Sequence, residues 1–313
     1  AGGRRHWRWQ APGRASPSRS VESPMDLVQF LVTGLTMGAV FSLVAIGFGV
    51  VFSATGVINF AQGEFVMVGG MAAAVLWSSG LPVAGAVVLA CLTAAIVGAI
   101  SVMLVVAPTR HAGHVGTTVA TVGLAIFLQG AARFALGSSN RQMPALSDSD
   151  PVVLFGAIVR PQSLWIAASA VLSFLLIAAF LVRTGAGRAM LAYADNALAA
   201  TIVGVRATAV QLHSYVIGAA LAGLAGALVA PIVFASPTMG TMLGLKGFVA
   251  ATIGGLGSVR GAIAGGLLLG VVEALSAAYV STAYRDAITF AILIVVMLKW
   301  PRGVFGGTGV QRV

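Results

Sequence analysis

Two carboxylates, Glu64 and Glu273, stand within otherwise apolar stretches of this 313-residue chain. A free carboxylate at the centre of a bilayer costs ~2.5 kcal/mol or more on insertion scales, so such a group pairs, takes up a proton or faces a cavity. Glu64 closes the run Asn59-Phe60-Ala61-Gln62-Gly63-Glu64, a polar break between two apolar segments. As a broken helix, this run would line a cavity with backbone and amide groups, making Asn59, Gln62 and Glu64 pathway residues. As a plain helix end, it would be an interfacial cluster. Glu273 follows Gly270-Val271-Val272 in the middle of an apolar run. A hydrogen bond to a neighbouring helix or a pathway role would each account for it. A proton-coupled carrier would use both acids as relays.

Other reactive arrangements are missing from the sequence. No Gly-x-x-x-x-Gly-Lys-[Ser/Thr] phosphate loop occurs, and Gly244-Leu245-Lys246-Gly247 lacks both the hydroxyl and the preceding loop. There is no His-Glu-x-x-His helix and no Gly-x-Ser-x-Gly elbow. The four histidines (His6, His111, His114, His213) are scattered, and Cys91 is the single cysteine. Neither an intrachain disulfide nor a Cys/His metal spacing follows.

The elements that must hold these groups are set by composition. The chain is 58% hydrophobic and 8% charged, with a mean hydropathy of +0.99. Soluble domains carry about 25% charged residues. These values exclude a soluble enzyme, a disordered chain and a nucleic-acid module. They predict an all-α polytopic membrane protein. The 40 glycines suit close-packed membrane helices. The net charge of +10 is concentrated in a leader: Arg4, Arg5, Arg8, Arg14 and Arg19 precede the first Met, Met25. Residues 1–24 read either as an Arg-rich targeting arm or as a disordered, mis-called start. A membrane domain would span 25–306, with a short tail at 307–313.

Apolar runs predict spans at 28–52, 65–79, 82–106, 116–136, 163–182, 209–234, 247–257, 261–280 and 287–300. Segments 65–79 and 247–257 are short and glycine-rich, so the expectation is about eight helices, or nine if both cross. The runs are too long, and too poor in two-residue alternation, for a barrel. Arg110, Arg183, Arg188, Arg206, Arg260, Lys299 and Arg302 fall in one set of loops. Arg141, Arg160, Lys246 and Arg285 are assigned to the other set. The first set is therefore expected to face the cytoplasm. Loop 137–162, with Asp148 and Asp150, is then external. It serves either as a cap receiving a delivery protein or as a plain surface loop.

Residues 187–203 are alanine-rich and free of proline, which predicts one helix stopped by Gly204. Leu191, Leu198, Ile202 and Val205, joined by Ala194, share a face. That face could pack on its own bundle, lie on lipid or dock on a partner. Gly254, Gly255, Gly257, Gly261, Gly265, Gly266 and Gly270 are read as helix-packing positions, as are Gly34 and Gly38.

Several ordered stretches resemble permeases of branched-chain amino acid ABC importers. They are Gly-Val-Ile-Asn-Phe-Ala-Gln-Gly-Glu-Phe at 56–65, Gly187-Arg188-Ala189 with Ala194-Asp195 and Gly204, and Ala-Thr-Ile-Gly-Gly-Leu-Gly-Ser at 251–258. Glu273-Ala274-Leu275 and Trp300-Pro301-Arg302-Gly303 complete the pattern. The resemblance covers roughly 27–306 and is nearer the first, H-type, permease of the pair. It implies half of a translocation pathway completed by a second permease subunit. Two ATPase subunits would bind ATP and Mg below, and an extracytoplasmic binding protein would deliver an amino-acid substrate above. This chain would hold no cofactor, touch membrane lipid and bind no nucleic acid. Its setting would be the bacterial inner membrane. The resemblance makes Gly187, Arg188, Leu191, Ala194, Asp195, Leu198, Ile202 and Gly204 a coupling element for an ATPase. Two departures stand out, since the family often has His at the position of Gln62 and Arg at that of Leu191. Relatives that carry urea or short amides keep the substrate open.

Overall fold

The computed structural model describes residues 24–147, 149–154, 156–301 and 303–305. Expectations for the leader before Pro24, for the tail 307–313, for Asp148 and for Arg302 lie outside the described residues. The helices are α1 (Pro24–Thr55), α2 (Gln62–Ser78), α3 (Val83–Ser101), α4 (Ala107–Thr109), α5 (Gly113–Leu136), α6 (Pro161–Arg183), α7 (Gly185–Asp195), α8 (Ala197–Ile202), α9 (Ala207–Val233), α10 (Met239–Gly254), α11 (Val259–Tyr279) and α12 (Arg285–Lys299). A π-type turn, Val102–Val106, carries α3 into α4. One antiparallel hairpin, β1 (Val152–Leu154) with β2 (Ala157–Val159), lies in loop 137–162 and pairs Val152 with Val159.

Among the described residues, six segments are long and apolar enough to cross a membrane: Leu27–Thr55, Val83–Thr109, Gly113–Leu136, Pro161–Arg183, Ala207–Val233 and Val259–Tyr279. The protein is thus a multi-pass, all-α membrane bundle. α2, α10 and α12 have 17, 16 and 15 residues. At 1.5 Å per residue each reaches only about 23–25 Å, less than the ~30 Å of hydrocarbon.

α1 and α9 form the centre. Phe41, Phe65, Tyr215, Leu228 and Leu269 are fully enclosed there. α5 and α6 are peripheral and present Val119, Ile126, Phe134, Leu172 and Leu176 outward. Small residues let the central helices touch through their backbones. A Cβ at Gly69 would strike the backbone of Gly223, and one at Gly226 would strike the carbonyl of Val66. Without water to satisfy separated backbones, close van der Waals packing is the main cohesive force between such helices.

Contacts also fix helix direction. Gly34 meets Gly270 while Ser53 reaches Gly257, so α1 and α11 run antiparallel. Gln62 bonds to Gly218 and Gly69 abuts Gly223, so α2 and α9 run parallel. Two ends result. At one end lie Gly56, His114, Tyr193, Ala197 and Gly257, which line a single groove. At the other, Arg141 and Ala235 form a two-way backbone bridge, and Gln29 brackets Ile158 of the hairpin by bonds to its N–H and carbonyl.

Two expectations are corrected. The penultimate short segment begins at Met239, not 247, and Lys246 lies inside α10 rather than in an external loop. The single helix expected over 187–203 is two. Asn196 takes an extended conformation (φ −151°, ψ 98°), and its side-chain oxygen accepts from the N–H of Ala199. Capping there outweighs the helix propensity of the surrounding alanines.

Candidate functional site

The break between α1 and α2 folds back into the bundle. α1 is unbroken to Thr55, then Gly56 (φ +66°) turns the chain, and α2 starts at Gln62. The Asn59 side-chain oxygen accepts from the N–H of Ala61 at 3.1 Å, and Thr121 Oγ1 accepts from the N–H of Phe60 at 3.1 Å. Gln62 is fully buried, and its Nε2 donates to the carbonyl of Gly218 at 2.8 Å. Asn59 Nδ2, Gln62 Oε1 and Glu64 Oε2 are buried without a hydrogen-bond partner among the described residues. So many unmatched polar atoms in one place are unusual for a structural core, where nearly all such groups are paired.

Glu64 is only 5% exposed and lines a cavity of about 270 Å³ between α1, α2, α5 and α10. Phe48, Phe60 and Phe248 form one wall. The rings of Phe48 and Phe248 meet edge-on at 5.7 Å, and those of Phe60 and Phe248 are tilted at 6.3 Å. Thr241 donates to Glu64 Oε1 at 3.3 Å and accepts from Gln129 Nε2 at 3.2 Å. Gly63 makes the floor possible, because a Cβ there would run into the carbonyl of Gly240 and the Cα of Gly244. The sequence offered no sign of Thr241 or Gln129, which lie 177 and 65 positions from Glu64.

Glu273 lies elsewhere, in a charge network. Lys246 Nζ is 2.7 Å from Glu273 Oε1 and 2.9 Å from Asp286 Oδ1, while Arg285 Nε is 2.9 Å from Glu273 Oε1. Lys246 is 6% exposed and sits 5.9 Å from the ring centre of Phe41. Among the described residues the buried acidic and basic side chains are Glu64, Glu273 and Lys246, the last of which was expected in an external loop. Glu273 is neutralised by partners and lies outside the lining of the Glu64 cavity.

The helix pair at the basic end forms a second feature. Thr184 caps α7 by accepting from the N–H of Gly187 at 2.9 Å. A Cβ at Gly187 would strike the backbone of Phe180 and Leu181, so this glycine seats α7 against the end of α6. Met190 and Ala200 are buried, whereas Leu198 is 73% and Ile202 78% exposed. Leu191 is also exposed, Val205 is half-buried and Arg188 faces outward. Ala194 lines the basic-end groove, Asp195 ends α7 and Gly204 (φ +93°) follows α8. The bundle thus holds one side of the pair and leaves its larger apolar side chains uncovered.

The glycines near the end divide into two kinds. Gly254 packs on Gly261, Gly265 on Ala250, Gly266 on Ser42, and Gly270 on Gly34 and Gly38. Gly255 (φ +96°) and Gly257 (φ +92°) are instead turn positions between α10 and α11.

The chain is thus a multi-pass membrane bundle with an enclosed polar break and an uncovered helix pair at one end. The family model described as the permease component of the branched-chain amino acid transport system matches residues 30–297. The chain is 35% identical over 306 residues to the high-affinity branched-chain amino acid transport system permease protein LivH of Escherichia coli K12. That match covers 93% of this chain and 99% of the relative. It is 32% identical to the corresponding permease protein BraD of Pseudomonas aeruginosa, covering 91% and 98%. The chain belongs to this permease family.

Proposed function

We propose that the protein is one of the two membrane subunits of an ATP-binding-cassette importer and forms half of a pathway for branched-chain or related amino acids. The branched-chain amino acid transport of its relatives supports the substrate class. The single observation that carries the mechanism is the α7–α8 pair, whose Leu191, Leu198 and Ile202 are exposed at the end where the arginines gather. Arg110, Arg183, Arg188, Arg206, Arg260 and Lys299 lie in the loops or helix ends on that side, against Arg133, Arg141, Arg160 and Arg285 at the other. The excess of cations supports a cytoplasmic setting for the first side, and the bacterial relatives support the inner membrane. With α2, α10 and α12 counted as short crossings, nine passes put the start of α1 on the outer side and the end of α12 on the inner side.

In this reading α7–α8 is the coupling element. Two ATPase subunits bind ATP and Mg and close against one another. A binding protein loads the opposite face, where the hairpin is tied down by Gln29. Closure of the ATPases selects one orientation of the permease pair, because the docked helices make different contacts in the two states. The chain carries no nucleotide loop of its own, so force enters through that contact.

Leu198→Asp tests this directly. A carboxylate buried against a docked ATPase would be unpaired, so ATP-driven uptake should fall by roughly tenfold or more. Membrane insertion should be normal. Parental uptake by this variant would remove α7–α8 from the coupling role.

A further inference from the structure

We propose that the cavity between α1, α2, α5 and α10 receives the ammonium group and apolar side chain of an amino acid, with Glu64 as the ammonium's counter-charge. The proposal rests on the reading of the chain as half of an amino-acid pathway. It starts from a contrast between the two membrane carboxylates. Glu273 has Lys246 and Arg285 within 2.9 Å. Glu64 is as deeply buried, yet among the described residues it has no cation at ion-pair distance; the second carboxylate oxygen, Oε2, is unpartnered in both acids, so the missing cation is what sets Glu64 apart. Its Oε1 has only the 3.3 Å contact from Thr241. A buried carboxylate so weakly answered calls for a cation from outside the chain.

The walls indicate which cation. Phe48, Phe60 and Phe248 present aromatic surface, which accepts an ammonium by its ring face and packs an aliphatic chain equally well. Val122, Ala125 and Ile126 extend the apolar lining. At about 270 Å³ the space suits a small ligand rather than a peptide. A hydrated metal ion would not use three phenyl rings, and a neutral amide or urea would leave Glu64 uncompensated. Among the described residues, Glu64 is the only ionisable group in the lining. No cation is present there to meet a carboxylate, so the carboxylate end must point out of the half-site. Val122 and Ile126 are exposed on that open side.

The test uses the intact permease–ATPase complex in detergent, without binding protein, and radiolabelled leucine as the probe. Leucinamide keeps the ammonium and lacks the carboxylate, whereas isocaproate keeps the carboxylate and lacks the ammonium. Leucinamide should displace leucine and isocaproate should not. Glu64→Gln should weaken leucine binding by roughly tenfold or more, while Glu64→Asp should retain measurable binding. Isocaproate competing as well as leucine, parental affinity in Glu64→Gln, or no saturable leucine binding to the parental complex would each overturn the proposal. The competitor series needs no variant, so a folding defect cannot obscure it. Uptake that proceeds without the ATPases would sink the importer reading and leave this binding result untouched.

Discussion

Replacing Lys246 by Met removes the cation at the centre of the α10–α11–α12 network without opening a large void. Lys246 Nζ lies 2.7 Å from Glu273 and 2.9 Å from Asp286. The side chains of Lys246 and Glu273 are 7% and 6% exposed. Removing one member of a buried ion pair costs about 3–5 kcal/mol, mostly because the other charge is left stranded. Here Glu273 keeps Arg285 at 2.9 Å, a partner whose side chain is 45% exposed and so only partly effective. Asp286, 38% exposed, can turn to solvent. The net cost should therefore be about 2–3 kcal/mol, at or just below the lower bound for a stranded buried charge. In detergent this corresponds to a drop in Tm of roughly 3–5 °C for a domain of this size. Glu273→Gln alone should also destabilise, leaving Lys246 with Asp286. The double variant Lys246→Met/Glu273→Gln has no stranded pair and should be less destabilised than the sum of the singles by about 1–3 kcal/mol. The assay is a double-mutant cycle read by thermal unfolding of the purified protein. A Lys246→Met protein that melts with the parent, or single effects that simply add, would refute the idea that this network holds α12 to the bundle.

Asn196→Ala should cost about 1 kcal/mol at the start of α8 through loss of the cap on Ala199. It should raise amide exchange across 197–202 with little change in α9, and unchanged exchange would deny Asn196 its capping role. Gly261→Val should separate α10 from α11, because even a Cβ at 261 meets the carbonyl of Gly254. Overpacking of this kind costs about 1–3 kcal/mol or more. A normal Tm in that variant would show that the contact yields freely.

Long uncharged runs were enough to place most of the bundle. The expected span 163–182 corresponds to α6 (Pro161–Arg183), 209–234 to α9 (Ala207–Val233), and 82–106 to Val83–Thr109. These helices are bounded by arginines, prolines and glycines that a linear reading detects. Lys246 was misread for a physical reason. A lone lysine between Leu245 and Gly247 looks like a loop charge unless its partners are known, and these are 27 and 40 residues away. That misreading also hid the start of α10. The Asn196 break had a visible signal, an amide side chain three residues before a free helix N–H, but the alanine run around it masked the signal. Of the polar break, Asn59, Gln62 and Glu64 were legible by their types. Their surroundings were not, since nothing in sequence spacing brings Thr241, Gln129 and Phe248 to one cavity. The resemblance to the permease family named the α7–α8 region. Only the coordinates reveal that the bundle covers Met190 and Ala200 and leaves Leu198 and Ile202 bare.

The most direct measurement is amino-acid uptake by proteoliposomes containing this chain with its second permease, compared with and without the ATPases, binding protein and enclosed ATP. The account predicts accumulation only in the complete, ATP-supplied vesicles, and no response to an imposed pH gradient. Accumulation by the membrane subunits alone, driven by that gradient, would contradict it.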